Sequence, residues 1–123
     1  MNVRPVTRGL GTLRVLIAIN ALAVLTQAVS AGMFLGGDAA LKNVHGIGAF
    51  VVHAAGLLLL IVAVPYWRPW RGSGFPALAG LVLLLAGLVQ SMTGGSGTTS
   101  VHVPLGVAMF GLTVWLGVWS LRR

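Results

Sequence analysis

Two histidines occupy matching positions in this sequence and could act together as ligands. His45 is preceded by valine and followed shortly by Gly48, and His102 is preceded by valine and followed shortly by Gly106. Neutral imidazole is the commonest metal ligand in proteins, so the matched pair predicts a ligand site. For either histidine alone, the competing interpretation is a polar residue at a helix start, close to a membrane surface.

Each histidine is preceded by a second shared motif. Leu-Ala-x-Leu-x-Gln ends at Gln27 in the first half of the chain and at Gln90 in the second, and small residues and a loop then lead to Val-His. The pattern predicts an internal pseudo-repeat of one helical hairpin, parallel in topology. The two glutamines are predicted either to form hydrogen bonds between helices, worth about 0.6 kcal/mol each, or to orient the ligands or the propionates of a haem.

The third histidine, His53, is predicted to lie apart from the pair. It follows His45 by eight residues, which places it ~12 Å deeper and turned by ~80° on the same helix. It could be a second ligand, a contact to a haem propionate or a quinone, or a histidine hydrogen-bonded between helices, which is the interpretation we favour. Met33 and Met92 lie near the paired histidines and offer copper(I) as an alternative to haem.

The composition offers few residues that could serve in other kinds of catalysis. The sequence has no cysteine and one acidic residue, Asp38, which excludes thiolate sites and a pair of carboxylates for acid–base catalysis. No nucleophile–histidine–acid arrangement or phosphate-binding loop is present. The sequence therefore favours an electron carrier over a stand-alone enzyme.

The elements that must position these residues are predicted to be membrane helices. Hydrophobic residues make up 57% of the chain and charged residues 7%, too few for the surface of a soluble domain. Four apolar stretches approach the ~20 residues that cross a bilayer, and short loops join them. The prediction is one all-α domain over residues 1–123, an integral membrane four-helix bundle with up-down-up-down topology. The spans are Val15–Leu35, Val44–Tyr66, Phe75–Thr93 and Val101–Leu121.

The basic residues predict the orientation. Seven arginines flank the spans on one side and only Lys42 and Asp38 fall on the other, so both termini are predicted to be cytoplasmic, in a bacterial inner membrane. The same distribution argues against nucleic-acid binding despite a net charge of +7. Small residues at Ala28–Ala31 resemble a signal-peptide cleavage site, but the first apolar stretch is long enough to favour a retained span.

This topology brings the paired histidines to one level. The second and fourth helices run in the same direction and lie on a diagonal of the bundle, ~14 Å apart. Imidazoles from His45 and His102 that reach inward across this diagonal leave room for one metal ion. A haem iron with two axial histidines suits that spacing.

The pattern resembles one half of the haem A synthase family, which is built from two four-helix bundles. Each bundle of that family carries a histidine on its second and fourth helices, toward the extracytoplasmic side, as His45 and His102 are placed here. The segment around Gln27, with the small residues after it, is similar to the ends of that family's first and third helices. The catalytic glutamate and the cysteine pair found in that family have no counterpart, so the resemblance implies a single bundle with b-type haem, similar to small bacterial membrane b-type cytochromes.

The leading hypothesis is a haem b-binding protein for electron transfer or haem handling, with a membrane redox partner or quinone. The alternative is a cofactor-free accessory subunit of a larger membrane complex or a homo-oligomer, which would use Trp115 and Trp119 on one helix face. A small transporter is a third hypothesis, weakened because the spans contain no acid or lysine.

Overall fold

The structure is a computed structural model that describes the backbone of residues 4–123 and the side chains from residue 9 onward. It consists of four long helices joined by short loops. Their order is α1 (Arg4–Leu35), α2 (Leu41–Trp67), α3 (Phe75–Gly95) and α4 (Thr99–Leu121). The all-α prediction is confirmed, and each helix contains the apolar stretch predicted for it.

The helices are longer than the apolar stretches. The largest difference is in α1, which begins at Arg4 instead of Val15, because a helix continues through polar residues that a hydropathy pattern leaves out. Pro5 is tolerated in the first turn, where a backbone N–H has no helical partner. At the other end of the bundle, α2 begins at Leu41 and so places Lys42 in its first turn.

The two loops near the paired histidines share one backbone motif. Gly37 and Gly97 have positive φ angles of 110° and 73°, and the residue after each glycine donates its backbone N–H to a carbonyl five positions earlier, Met33 or Thr93. This is the Schellman arrangement that ends helices with a left-handed glycine. Both hairpins therefore turn in the same way.

Each helix packs against two neighbours. The contacting pairs are α1–α2, α2–α3, α3–α4 and α1–α4, and the described residues bring neither α1 and α3 nor α2 and α4 into direct contact. The bundle is thus a closed square with antiparallel neighbours. As predicted from the short loops, α2 and α4 lie on a diagonal.

The packed core lies toward the end of the bundle where α1 begins and α4 ends, called here the termini end. Leu13, Leu59 and Leu116 are fully buried there. Helices α2 and α3 approach closely at Gly80, where an added Cβ would lie 3.4 Å from the Leu60 Cα. Such close packing by small residues is how helices associate in lipid, where apolar burial alone gives little driving force.

All four helices are long and apolar enough to cross a membrane, as expected of a multi-pass membrane protein. Large apolar side chains are exposed on every helix, among them Leu22, Phe50, Leu78 and Val107. In water such a surface would aggregate. A lipid bilayer is the environment that suits it.

Candidate cofactor site at the histidine end

The paired histidines meet across the diagonal of the bundle. His45 lies in the second turn of α2 and His102 in the first turn of α4, at the end opposite the termini, called here the histidine end. Their ring centroids are 6.0 Å apart and the ring planes are inclined by 64°. Both residues are partly buried.

Each imidazole is held by a backbone carbonyl of the helix that precedes its own. Nδ1 of His102 lies 2.8 Å from the Gln90 carbonyl oxygen, and Nδ1 of His45 lies 3.1 Å from that of Gln27. A carbonyl oxygen can only accept, so Nδ1 of each ring donates the hydrogen. In a neutral ring this leaves the lone pair on Nε2, and the described residues provide no hydrogen-bond partner for either Nε2.

Hydroxyl groups reinforce both carbonyl contacts. Ser30 Oγ donates to the Gln27 carbonyl at 3.1 Å and lies 3.2 Å from Nδ1 of His45. Thr93 Oγ1 donates to the Gln90 carbonyl at 3.1 Å. Each hydroxyl stands three residues after its glutamine, one helical turn along. This matched spacing of glutamine and hydroxyl residue is visible in the sequence, but no role was predicted for Ser30 or Thr93.

The glutamine side chains lie against glycines of the neighbouring helices. The amide of Gln27 lies so close to Gly48 that a Cβ there would displace it, and the amide nitrogen of Gln90 is 2.9 Å from the position of a Cβ at Gly106. Each amide therefore fills the space left by a glycine on the neighbouring helix. Among the described residues, Oε1 of Gln90 is buried without a hydrogen-bond partner, so an acceptor remains available beside the histidine pair.

His53 is separate from this pair and faces α3. Its Nε2 lies 3.5 Å from Ser91 Oγ, a long contact, and its ring packs over Gly87, where an added Cβ would come within 3.2 Å of Cδ2. This is the hydrogen bond between helices that the sequence favoured. Ser91 was not predicted as the partner.

The other polar candidates lie away from the pair. Met33 and Met92 are 51% and 73% exposed, so both point outward from the bundle. Asp38 accepts a hydrogen bond from the Ala40 backbone N–H within its loop. Within residues 9–123, no three His, Cys, Asp or Glu side chains come together as a metal-binding group.

The histidine end is loosely packed. No residue in 41–54 of α2 or in 99–108 of α4 is buried, although both segments belong to long helices. The helix starts are instead joined to their neighbours by the polar contacts described above. These two segments therefore lack the fully buried side chains found at the termini end.

The spacing of the two ring centroids matches that of two imidazoles bound to opposite sides of one metal. Metal–nitrogen bonds to histidine are about 2.0 Å long, so two rings on opposite sides of one metal have centres about 6 Å apart. The rings here are 6.0 Å apart. Both have Nδ1 occupied as a donor, which is the arrangement found in metal-ligating histidines.

Two further contacts in the bundle bear on the sequence-based predictions. Asn20 Nδ2 donates to Thr113 Oγ1 at 3.4 Å, which joins α1 to α4 in the bundle interior. Trp115 and Trp119 both pack on Phe75 of α3, with ring centroids 5.2 and 5.6 Å away. The side chains of Arg4 and Arg8, which entered the orientation argument, lie outside the described residues.

Comparison of the chain with protein-family models, with curated proteins and with solved structures found no match.

Proposed function

We propose that this protein binds one b-type haem between His45 and His102 and serves electron transfer or haem handling in a membrane. The observation that carries the proposal is the histidine pair itself, two imidazoles 6.0 Å apart that each donate Nδ1–H to a backbone carbonyl. An iron-bound imidazole needs the same tautomer. The lack of buried residues in 41–54 of α2 and 99–108 of α4 supports a cofactor packed against these segments.

The chain's own residues would fix the ligand geometry before the cofactor enters. The carbonyls of Gln27 and Gln90 hold each ring at Nδ1, which sets its rotation and its tautomer. Haem iron, when bound, supplies a one-electron couple. Two histidine ligands leave no open coordination position, so electron transfer fits this site better than oxygen chemistry.

The proposal also covers the membrane insertion and orientation of the bundle that carries the site. The four helices span a bacterial cytoplasmic membrane with both termini inside, as the arginine distribution indicates, and the histidine pair then lies near the extracytoplasmic face. The two hairpins form a pseudo-repeat. Their matching turns and matching histidine–carbonyl contacts support it.

A reduced-minus-oxidised optical spectrum of the detergent-purified protein, with pyridine haemochrome quantification, tests the proposal. We expect sharp Soret and α bands and close to one haem per chain. His45→Ala and His102→Ala should each abolish the spectrum because one of the two residues that would hold the haem iron is lost. His53→Ala is the matched control and should leave the haem content largely intact, since His53 faces α3 and Ser91.

Full haem content in both the His45→Ala and His102→Ala variants would overturn the assignment. A featureless spectrum from protein expressed with ample haem would favour the cofactor-free accessory subunit. Trp115 is 63% exposed and would be its contact residue. The packing of Trp115 and Trp119 on Phe75 supports instead a role for these tryptophans within the bundle, between α3 and α4.

A further inference from the structure

A groove of about 200 Å³ runs between α1 and α4 at the termini end. Its walls are apolar and include Ile17 and Ala21 from α1 and Val114 and Gly117 from α4. A single cation, Arg14, lies at one end of the groove. The groove is therefore apolar along its length and positively charged at one end.

The groove runs along the helix axes. It extends on α1 from Arg14 to Ala21 and on α4 from Leu121 back to Thr113, about 10 to 12 Å at 1.5 Å per residue. If the helices span a bilayer, the Arg14 end lies at the membrane surface and the far end points toward the bilayer centre. This is the direction in which a phospholipid presents its headgroup and its acyl chain.

Arg14 is fixed in place with donors to spare. Its Nε and Nη2 atoms both donate to the backbone carbonyl of Ser120, at 3.1 and 2.8 Å, which satisfies a carbonyl in the last turn of α4. A guanidinium group has five N–H donors, so three remain for another acceptor. The side chain is already ordered, so binding through it would lose little conformational entropy.

The charge around the groove favours an anion. Arg122 and Arg123 follow the end of α4, and the guanidinium of Arg123 lies 5.3 Å from the centre of the Trp119 ring. The only acidic residue in the sequence, Asp38, is in a loop at the opposite end of the bundle. A phosphate at Arg14 would thus meet positive charge with no nearby carboxylate side chain.

We infer that this groove binds an acyl chain of an anionic phospholipid, with the lipid phosphate hydrogen-bonded to Arg14. Basic sites between membrane helices on the cytoplasmic side are suited to anionic headgroups. The inference rests on the proposed membrane insertion and orientation. It does not depend on haem, since the groove and the histidine pair lie at opposite ends of the bundle.

Native mass spectrometry of the detergent-purified protein, titrated with phosphatidylglycerol or phosphatidylcholine, tests the inference. We expect tighter binding of phosphatidylglycerol, and an affinity about tenfold lower in Arg14→Gln because charge-assisted hydrogen bonds to the phosphate are lost. Arg68→Gln is the matched control. Arg68 lies in the loop between α2 and α3, is exposed at the same end, and places its guanidinium over the Trp67 ring. Arg68→Gln should therefore leave the affinity for phosphatidylglycerol within twofold.

A second variant avoids the effect of Arg14→Gln on the end of α4. Gly117→Leu adds an uncharged side chain inside the groove, so every charge is kept. A Cβ at Gly117 meets only the Ile17 side chain, at 3.6 Å. It should weaken phosphatidylglycerol binding by a factor similar to that of Arg14→Gln. The same measurements on haem-free protein should give the same affinities, which separates this inference from the proposed cofactor.

Three outcomes would overturn the inference. Equal losses in Arg14→Gln and Arg68→Gln would mean diffuse charge attraction without a site. Phosphatidylcholine or a neutral quinone binding as tightly as phosphatidylglycerol, and lost equally in Gly117→Leu, would mean that the groove holds an uncharged occupant. A change from dimer to monomer in Gly117→Leu would mean that a second copy of the chain fills the groove.

Discussion

The two ends of the bundle are packed by different means. At the termini end, Leu13, Leu59 and Leu116 are fully buried and the helices fit together through apolar contacts. At the histidine end, residues 41–54 and 99–108 include no buried residue, and carbonyl–imidazole and amide–glycine contacts join neighbouring helices. Apolar burial therefore holds the helices together at the termini end, whereas polar contacts to backbone carbonyls and glycines hold them at the histidine end.

Removing a core side chain at the termini end is expected to have the largest effect on stability. Leu59→Ala should lower the free energy of unfolding by about 2 to 5 kcal/mol, because a fully buried leucine is replaced by a cavity. Ile61→Ala, two residues along the same helix, is the control, since Ile61 is 55% exposed and should cost under about 0.5 kcal/mol. Reversible unfolding in mixed detergent micelles measures both. Equal effects would contradict the assignment of Leu59 to the packed core of the termini end.

Two adjacent glycines at the histidine end allow the comparison to be tested through haem binding. A Cβ at Gly94 would lie 2.8 Å from Cε1 of His102, whereas a Cβ at Gly95 meets nothing within 4 Å. Gly94→Ala should therefore displace the ring from the Gln90 carbonyl and weaken haem binding by about 10- to 100-fold. Gly95→Ala should leave it unchanged.

Haem titration of both apo variants gives the affinities. The two substitutions carry the same gain in helix propensity, so a difference between them reports the contact with His102. Identical affinities would show that the orientation of this ring does not matter for the cofactor.

The smallest expected effect concerns the polar contact in the bundle interior. Thr113→Val removes the acceptor of the Asn20 amide and should cost about 0.6 to 1.7 kcal/mol of unfolding free energy. Thr26→Val is the control, because Thr26 is exposed and bonds only the Leu22 carbonyl of its own helix. The same unfolding experiment applies. A cost no larger than that of Thr26→Val would mean that the contact between α1 and α4 adds no stability.

Apolar length and loop spacing were enough to predict the four helices and the diagonal placement of α2 and α4. The matched Val-His motifs were enough to predict that His45 and His102 would lie at one level. The partners of these histidines could not be predicted, because a backbone carbonyl is present at every residue and carries no sequence signal. Gln27 and Gln90 were identified for their side chains, yet their amides face glycines and only their carbonyls meet the rings.

The start of α1 and the contact of Arg14 with Ser120 were missed for related reasons. A hydropathy pattern marks where a chain is apolar, and a helix can extend beyond that point wherever its backbone stays paired. The distribution of arginines along the sequence predicts only the orientation of the helices. Pairing of one of them with the end of α4 depends on the rotation of two helices about their axes, which the sequence pattern does not specify.

The carbonyl contacts also determine how the site would respond to change over evolution. His45 lies 18 residues after Gln27 and His102 lies 12 after Gln90, so the hairpins differ in length at their tips while both contacts are kept. No amino-acid exchange at position 27 or 90 can delete a main-chain oxygen. An insertion or deletion within the helix could do so, since one residue rotates everything beyond it by about 100°. The orientation of the imidazoles is therefore tolerant of substitution at positions 27 and 90 and sensitive to helical register.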